Sequence, residues 1–184
     1  LPMDSTTKNA LIDFTTRWIN QFEFAPNSED LHAIPSPCIL TTKQLTVYWQ
    51  PFLLEPPRTL TIIEQVVGIT LHPSAHIFYG TQYAGNMTAK LAENNLLLLQ
   101  AWSDDDFSNL ERNLIAHLSQ QKKLKRTPTI FIASTDEGSE IISINNLTGE
   151  VVKENLISAE LTILADNLIT FLNRLIVTDV KINL

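Results

Sequence analysis

Cysteine occurs once in this chain, at Cys38, so an internal disulfide is excluded and a reducing compartment fits. The lone thiol stands among prolines in "IPSPCIL" and reads as a buried structural group rather than a nucleophile. Glycine is also scarce, with five residues. None sits in a Walker loop, a G-x-G-x-x-G turn or a G-x-S-x-G elbow, and there is no CxxC pair. No catalytic residue, metal ligand or cofactor site is singled out, and a non-enzymatic protein is expected. The longest apolar runs, such as "LLLL" at 96–99, fall far short of the ~18 residues of a membrane span. No basic segment followed by an apolar stretch opens the chain, so no signal peptide is expected.

Basic residues are few and unevenly placed. Four of the 13 fall in "KKLKR" (Lys122, Lys123, Lys125, Arg126), leaving nine against 20 acids elsewhere. A net charge of −7 argues against nucleic acid as a partner, because phosphate recognition needs a basic field. Most of the surface should instead attract cations or basic protein segments. The four histidines offer only "HPSAH" at 72–76 as a close pair, and the proline is expected to interrupt any helix that would align them. The sequons at 86–88 and 146–148 matter only in a secreted protein and are read as chance.

What remains is a globular composition, 44% hydrophobic and 18% charged, in a length suited to one domain. Residues 3–184 are read as that domain. Leu1 and Pro2, ahead of Met3, are read as an expression remnant. Leu11, Phe14, Trp18 and Phe22 recur at helical spacing, with Ser5 or Thr6 as candidate caps. "CILTT" and "LTVYWQPF" read as strands about a turn near Lys43–Gln44, with Tyr48 and Trp49 facing opposite sides. Residues 59–69 are assigned to a helix. Strands are expected near 75–80, 86–92 and 96–101, with Phe78 and Tyr79 again on opposite faces. A helix should run from Ser103 to "KKLKR", strands should cover 129–134 and 140–146, and "LTGE" should turn the chain into "VVKENL". A last helix is expected over 158–176. Strands clustered between helices, without regular βα alternation, predict an α+β fold with a mixed or mostly antiparallel sheet.

The stretch "QAWSDDDF" at 100–107 places three adjacent carboxylates at the start of the strongest helix. Ser103 followed by Asp106 approximates a capping box, and carboxylates in a first turn favour the helix dipole. "KKLKR" puts cations at the other end, so the segment is charge-matched along its axis. Helix initiation is the main explanation of the triplet, and it leaves the exposed carboxylates free to bind. The alternation of calcium-binding loops is missing.

"PSPCI", "VYWQP", "HIFYGTQYAGNM", "LLQAWSDDDF", "NLIAHLSQQKKLK", "PTIFIA" and "NLTGEVVKE", in that order, closely resemble the Syd family of bacterial SecY-interacting proteins, in the SUKH superfamily. The likeness runs from Met3 to about Leu175 and fades in "IVTDVKINL". It implies a cytosolic α+β protein that binds SecY, the translocon channel subunit, peripherally at the cytoplasmic face of the inner membrane. It further implies an acidic concave surface that meets basic cytoplasmic loops, which in membrane proteins are rich in Lys and Arg. The family would monitor SecY, sequestering excess or faulty copies or restraining translocation. Asp104, Asp105 and Asp106 are the first candidates for partner contact, Glu64 the next, with Tyr79 and Tyr83 as flanking aromatics. Lys122, Lys123, Lys125 and Arg126 are candidates for touching anionic lipid. The alternative is an immunity protein neutralising a basic toxin, a role found in the same superfamily. A hydrolase using clustered carboxylates is a third reading, and it needs a closed pocket with acids facing inward.

Overall fold

A computed structural model describes residues 2–178, with side chains from Thr6 onward. The expected domain end at 184 and Leu1 lie outside the described residues. Helix α1 (Pro2–Ile19) buries Leu11, Phe14 and Trp18, the stripe expected from their spacing. It already contains Ser5 and Thr6, so neither is its cap. A three-stranded antiparallel sheet follows, built from β1 (Asn27–Ser28), β2 (Ile39–Lys43) and β3 (Thr46–Trp49) in the order β1-β3-β2. Gln44 takes a positive φ of 56° in the tight β2–β3 turn. Trp49 is buried and Tyr48 only partly so, as strand alternation requires. Strand β4 (Phe52–Leu53) pairs with β5 (Gln82–Tyr83).

Between them lie α2 (Thr61–Val67) and α3 (Pro73–Gly80). Helix α3 replaces the strand expected at 75–80. The proline of "HPSAH" starts this helix rather than breaking one, since Pro73 occupies its first turn, where no N–H is needed. His72 caps it, Nδ1 accepting from the Ser74 N–H at 3.3 Å. Ser74, Ala75, Phe78 and Tyr79 are all buried. A helix covered on most sides has no polar face to betray its period, and Phe78 and Tyr79 therefore share the core instead of facing apart.

The main sheet has seven strands. They are β6 (Met87–Leu91), β7 (Asn94–Leu98), β8 (Thr129–Thr135), β9 (Glu140–Asn145), β10 (Val151–Asn155), β11 (Leu161–Ala165) and β12 (Ile176–Val177). Their order is β11-β10-β9-β8-β7-β6-β12, and every pairing is antiparallel among the described residues. Helix α4 (Asp104–Lys123) connects β7 to β8, and α5 (Leu168–Arg174) precedes β12. The single helix expected over 158–176 is thus a strand and a short helix. Asn155 folds the chain into a turn before β11, and Asn167 begins α5 by accepting from the Thr170 N–H.

One core joins these layers. Phe14, Phe78, Phe107, Phe171, Met87, Leu96 and Leu98 are fully buried within it. Trp49 stacks on Trp18 and meets Trp102 edge-on. Cys38 belongs to the same cluster, and burial pushes its thiol up to about 11. A thiol so far above neutral pH is inert, the role its proline-rich setting suggested.

Candidate partner-binding surface

Helices α1, α2 and α3 and the segment before α2 enclose a concavity of about 600 Å³, lined in part by Lys8, Arg58, Glu64, Leu71, His76 and Ile77. The segment can lie this close because of Gly80. A Cβ there would stand 1.8 Å from the Arg58 carbonyl oxygen, and the Arg58 N–H donates to the Gly80 carbonyl at 3.0 Å. Any larger residue would push Arg58 out of the wall.

Glu64 faces the concavity from α2. One carboxylate oxygen accepts from the Leu71 N–H at 2.8 Å, and the other lies 3.6 Å from His76 Nε2. His76 Nδ1 accepts from the Leu60 N–H at 2.9 Å. The imidazole proton is therefore on Nε2, directed at Glu64. The Leu71 N–H thus fixes the Glu64 carboxylate, with His76 close by on its other side.

Arg58 links this wall to the start of α4. Its Nη1 donates to Tyr83 Oη at 2.8 Å and to Asp104 Oδ1 at 3.0 Å, while its guanidinium lies 4.0 Å from the centre of the Phe107 ring. Tyr83 Oη donates to the same Asp104 oxygen at 2.5 Å. Burial first, and then that bond to Asp104, push the Tyr83 hydroxyl above its ordinary pKa. Glu111, about two turns further along α4, is also raised by burial, with Arg58 pulling the other way. Lys8 on the opposite wall lies 3.8 Å from Glu55. The cations of the concavity are each matched by an acid on its border.

The aspartate triplet divides. Ser103 caps α4, accepting from the Asp106 N–H at 3.2 Å, and the Asp106 carboxylate accepts from the Trp102 N–H at 2.7 Å. This is a reciprocal cap displaced by one residue. Asp104 stays 86% exposed at its side chain while holding Arg58. Asp105 is exposed and has no side-chain partner among the described residues.

Two expected contacts are corrected. Tyr79 is 1% exposed and its hydroxyl donates to the Phe131 carbonyl. It fills the core beneath α3, and no partner reaches it. Tyr83 is 2% exposed; it orients Arg58 and Asp104 from below instead of offering a ring. Arg58, His76, Lys8, Glu55 and Glu111 were not anticipated. No short motif marks them, because the pairs they form join distant stretches of chain, Arg58 with Asp104 across 46 residues and Lys8 with Glu55 further still.

The lysine-rich run lies at the far end of α4. Twenty residues at about 1.5 Å each put it roughly 30 Å from the triplet, so it does not neutralise the acids. Among the described residues no group of three or more His, Cys, Asp or Glu side chains is placed to hold a metal ion, and no helix is long and apolar enough to cross a membrane.

Comparison with known proteins gives a family. Residues 8–176 match the family described as Syd protein (SUKH-2). The chain is 46% identical over 177 residues to Protein Syd of Escherichia coli O1:K1 / APEC and to Protein Syd of Escherichia coli strain K12 / DH10B. Each alignment covers 94% of this chain and 98% of the relative.

Proposed function

The chain belongs to the Syd family, and from that premise we propose that it binds SecY at the cytoplasmic face of the inner membrane. In this reading it regulates or sequesters unassembled or excess SecY. The observation that supports the reading most is the set of carboxylates in and next to the concavity. Glu64 stands in its wall, Glu55 and Asp104 sit beside its two cations, and Asp105 projects without a partner. A basic segment of SecY would lay its aliphatic stems along Leu71, Pro73 and Ile77 and bring its charges to these carboxylates.

Magnitudes decide what kind of binding this is. An exposed ion pair contributes about 0.2–1 kcal/mol, so no single carboxylate holds the partner. Several acting on one hollow add their fields, steer the encounter and make it salt-sensitive. Lys8 and Arg58 offset the charges of Glu55 and Asp104, with which they pair, so the field in the hollow rests on Glu64 and the unpaired Asp105. The reading includes no catalytic step and no cofactor. The protein would sit peripherally on the membrane only while SecY holds it, or where lipid adds to the grip.

Capture on beads tests this. The protein is immobilised and offered detergent-solubilised translocon, with and without the other channel subunits, across a salt series. The expected result is SecY retained at low salt, released at high salt, and retained less by Asp105→Lys. Absence of SecY from the beads at every salt concentration contradicts the proposal.

A further inference from the structure

The basic run at the end of α4 borders a second hollow, of about 330 Å³, lined in part by Val67, Ile69, Leu118, Lys122, Lys125 and Arg126. Lys122 is committed to the fold, since its ammonium donates to the Val67 carbonyl at the end of α2 at 3.0 Å. Lys125 and Arg126 are not committed. Both are exposed, both line the hollow, and neither side chain has a partner among the described residues. Their placement comes from the way α4 ends. Lys125 takes a φ of 53°, and the Arg126 N–H returns to the Gln121 carbonyl at 2.9 Å. That is a Schellman ending with lysine where glycine is usual, and it folds these cations back over the hollow.

Among the described residues no acid lines this hollow, although acids outnumber bases in the chain. Apolar side chains flank it instead. Leu124, between Lys123 and Lys125, is 46% exposed, and Val66, beside Val67, is 60% exposed. Cations interleaved with exposed aliphatic groups are the composition of a surface that meets a bilayer interface, where the charges take phosphate and the aliphatic groups enter the headgroup boundary. A long polyanion such as nucleic acid needs a basic track wider than these few cations and has no use for the aliphatic groups between them.

We infer that the joined C-terminal ends of α2 and α4 form a seat for the phosphate headgroups of an anionic bilayer, with Lys125 and Arg126 as the contact cations. The contact needs no SecY, so it stands apart from the binding proposed above. It also sets an orientation. The acidic end of α4, roughly 30 Å away, is repelled by the same lipid. The start of α4, with Asp105, is thereby turned away from the bilayer, toward protein segments that stand off it.

Flotation with protein-free vesicles tests the seat. Vesicles of phosphatidylcholine mixed with phosphatidylglycerol are compared with vesicles of phosphatidylcholine alone, at low salt, using the full chain. Each surface cation is worth about fivefold in partitioning, so the Lys125→Gln/Arg126→Gln double variant should bind the mixed vesicles about 25-fold less. It should melt as the wild type does, because neither side chain holds another. Asp105→Lys should bind no less than wild type. Equal partitioning of the wild type into both vesicle types overturns the inference, as does a double variant that floats with the mixed vesicles like the wild type. Because SecY is absent throughout, neither outcome bears on the bead capture.

Discussion

The two ends of α4 carry runs of opposite charge, and the fold treats both in the same way. At the N-terminus, Asp106 closes the cap and Asp104 holds Arg58, leaving Asp105 free. At the C-terminus, Lys122 caps α2, leaving Lys125 and Arg126 free. A run of like charge is therefore not a single functional unit. Part of it satisfies helix ends that would otherwise be orphaned, and the remainder is surplus to the fold. Surplus is where binding is to be sought, since a side chain already engaged must give up one partner to take another.

That division can be broken by mutation. The largest effect should come from Asp106→Ala, which strands the N–H of buried Trp102. The expected loss is about 2 kcal/mol, or roughly 6 °C in Tm for a chain of this size. Asp105→Ala should stay within about 0.5 kcal/mol of wild type. Urea unfolding of the two variants side by side decides the matter, and equal losses would erase the distinction between them. At the other end, Lys122→Ala should cost about 1 kcal/mol through the lost bond to Val67, while Lys125→Ala should cost little. A Lys125 variant as unstable as the Lys122 variant would show that the whole run is structural.

A smaller effect tests the middle of the same helix. His117 lies half-buried against Phe131, and its Nε2 is 3.0 Å from Thr129 Oγ1, which donates to buried Glu154. Burial lowers the His117 pKa, with Glu154 pulling it partly back; burial lowers His72 as well. The unfolded chain therefore takes up protons near pH ~6.5 that the folded chain resists. Stability is full above that value and should fall as pH drops below it. Urea midpoints at about pH 7.5 and about pH 5.5 should separate less in His117→Gln than in wild type. An unchanged separation would remove His117 from the account.

Much of this was readable before the fold was known. Ser103 announced the start of α4, and the alternation in "TIFIAS" and "EIISINN" announced two strands, because local chemistry alone decides a cap or a half-buried strand. Helix α3 was misread because burial on nearly every side erases helical periodicity, leaving aromatic residues that resemble a strand. Leu161 and Leu164 kept helical spacing with the residues of α5, yet Leu161 pairs with Glu154 as sheet. At the candidate surface, Glu64 and the aspartates were identifiable by type. The division of labour among them was not, because it depends on Arg58 and Trp102 being brought alongside. Tyr79 and Tyr83 went wrong for the same reason, since an aromatic residue reads alike in a core and at an interface.

The central claim is that carboxylates in and next to the concavity, the unengaged Asp105 foremost, hold a basic segment of SecY. The most direct test is the salt dependence of SecY affinity, compared among wild type, Asp105→Lys and Asp106→Ala at a temperature where all three are folded. The account predicts a steep loss of affinity with salt in wild type and Asp106→Ala, and a weaker, flatter dependence in Asp105→Lys. Affinity that ignores salt, or that falls with Asp106 while sparing Asp105, would contradict it.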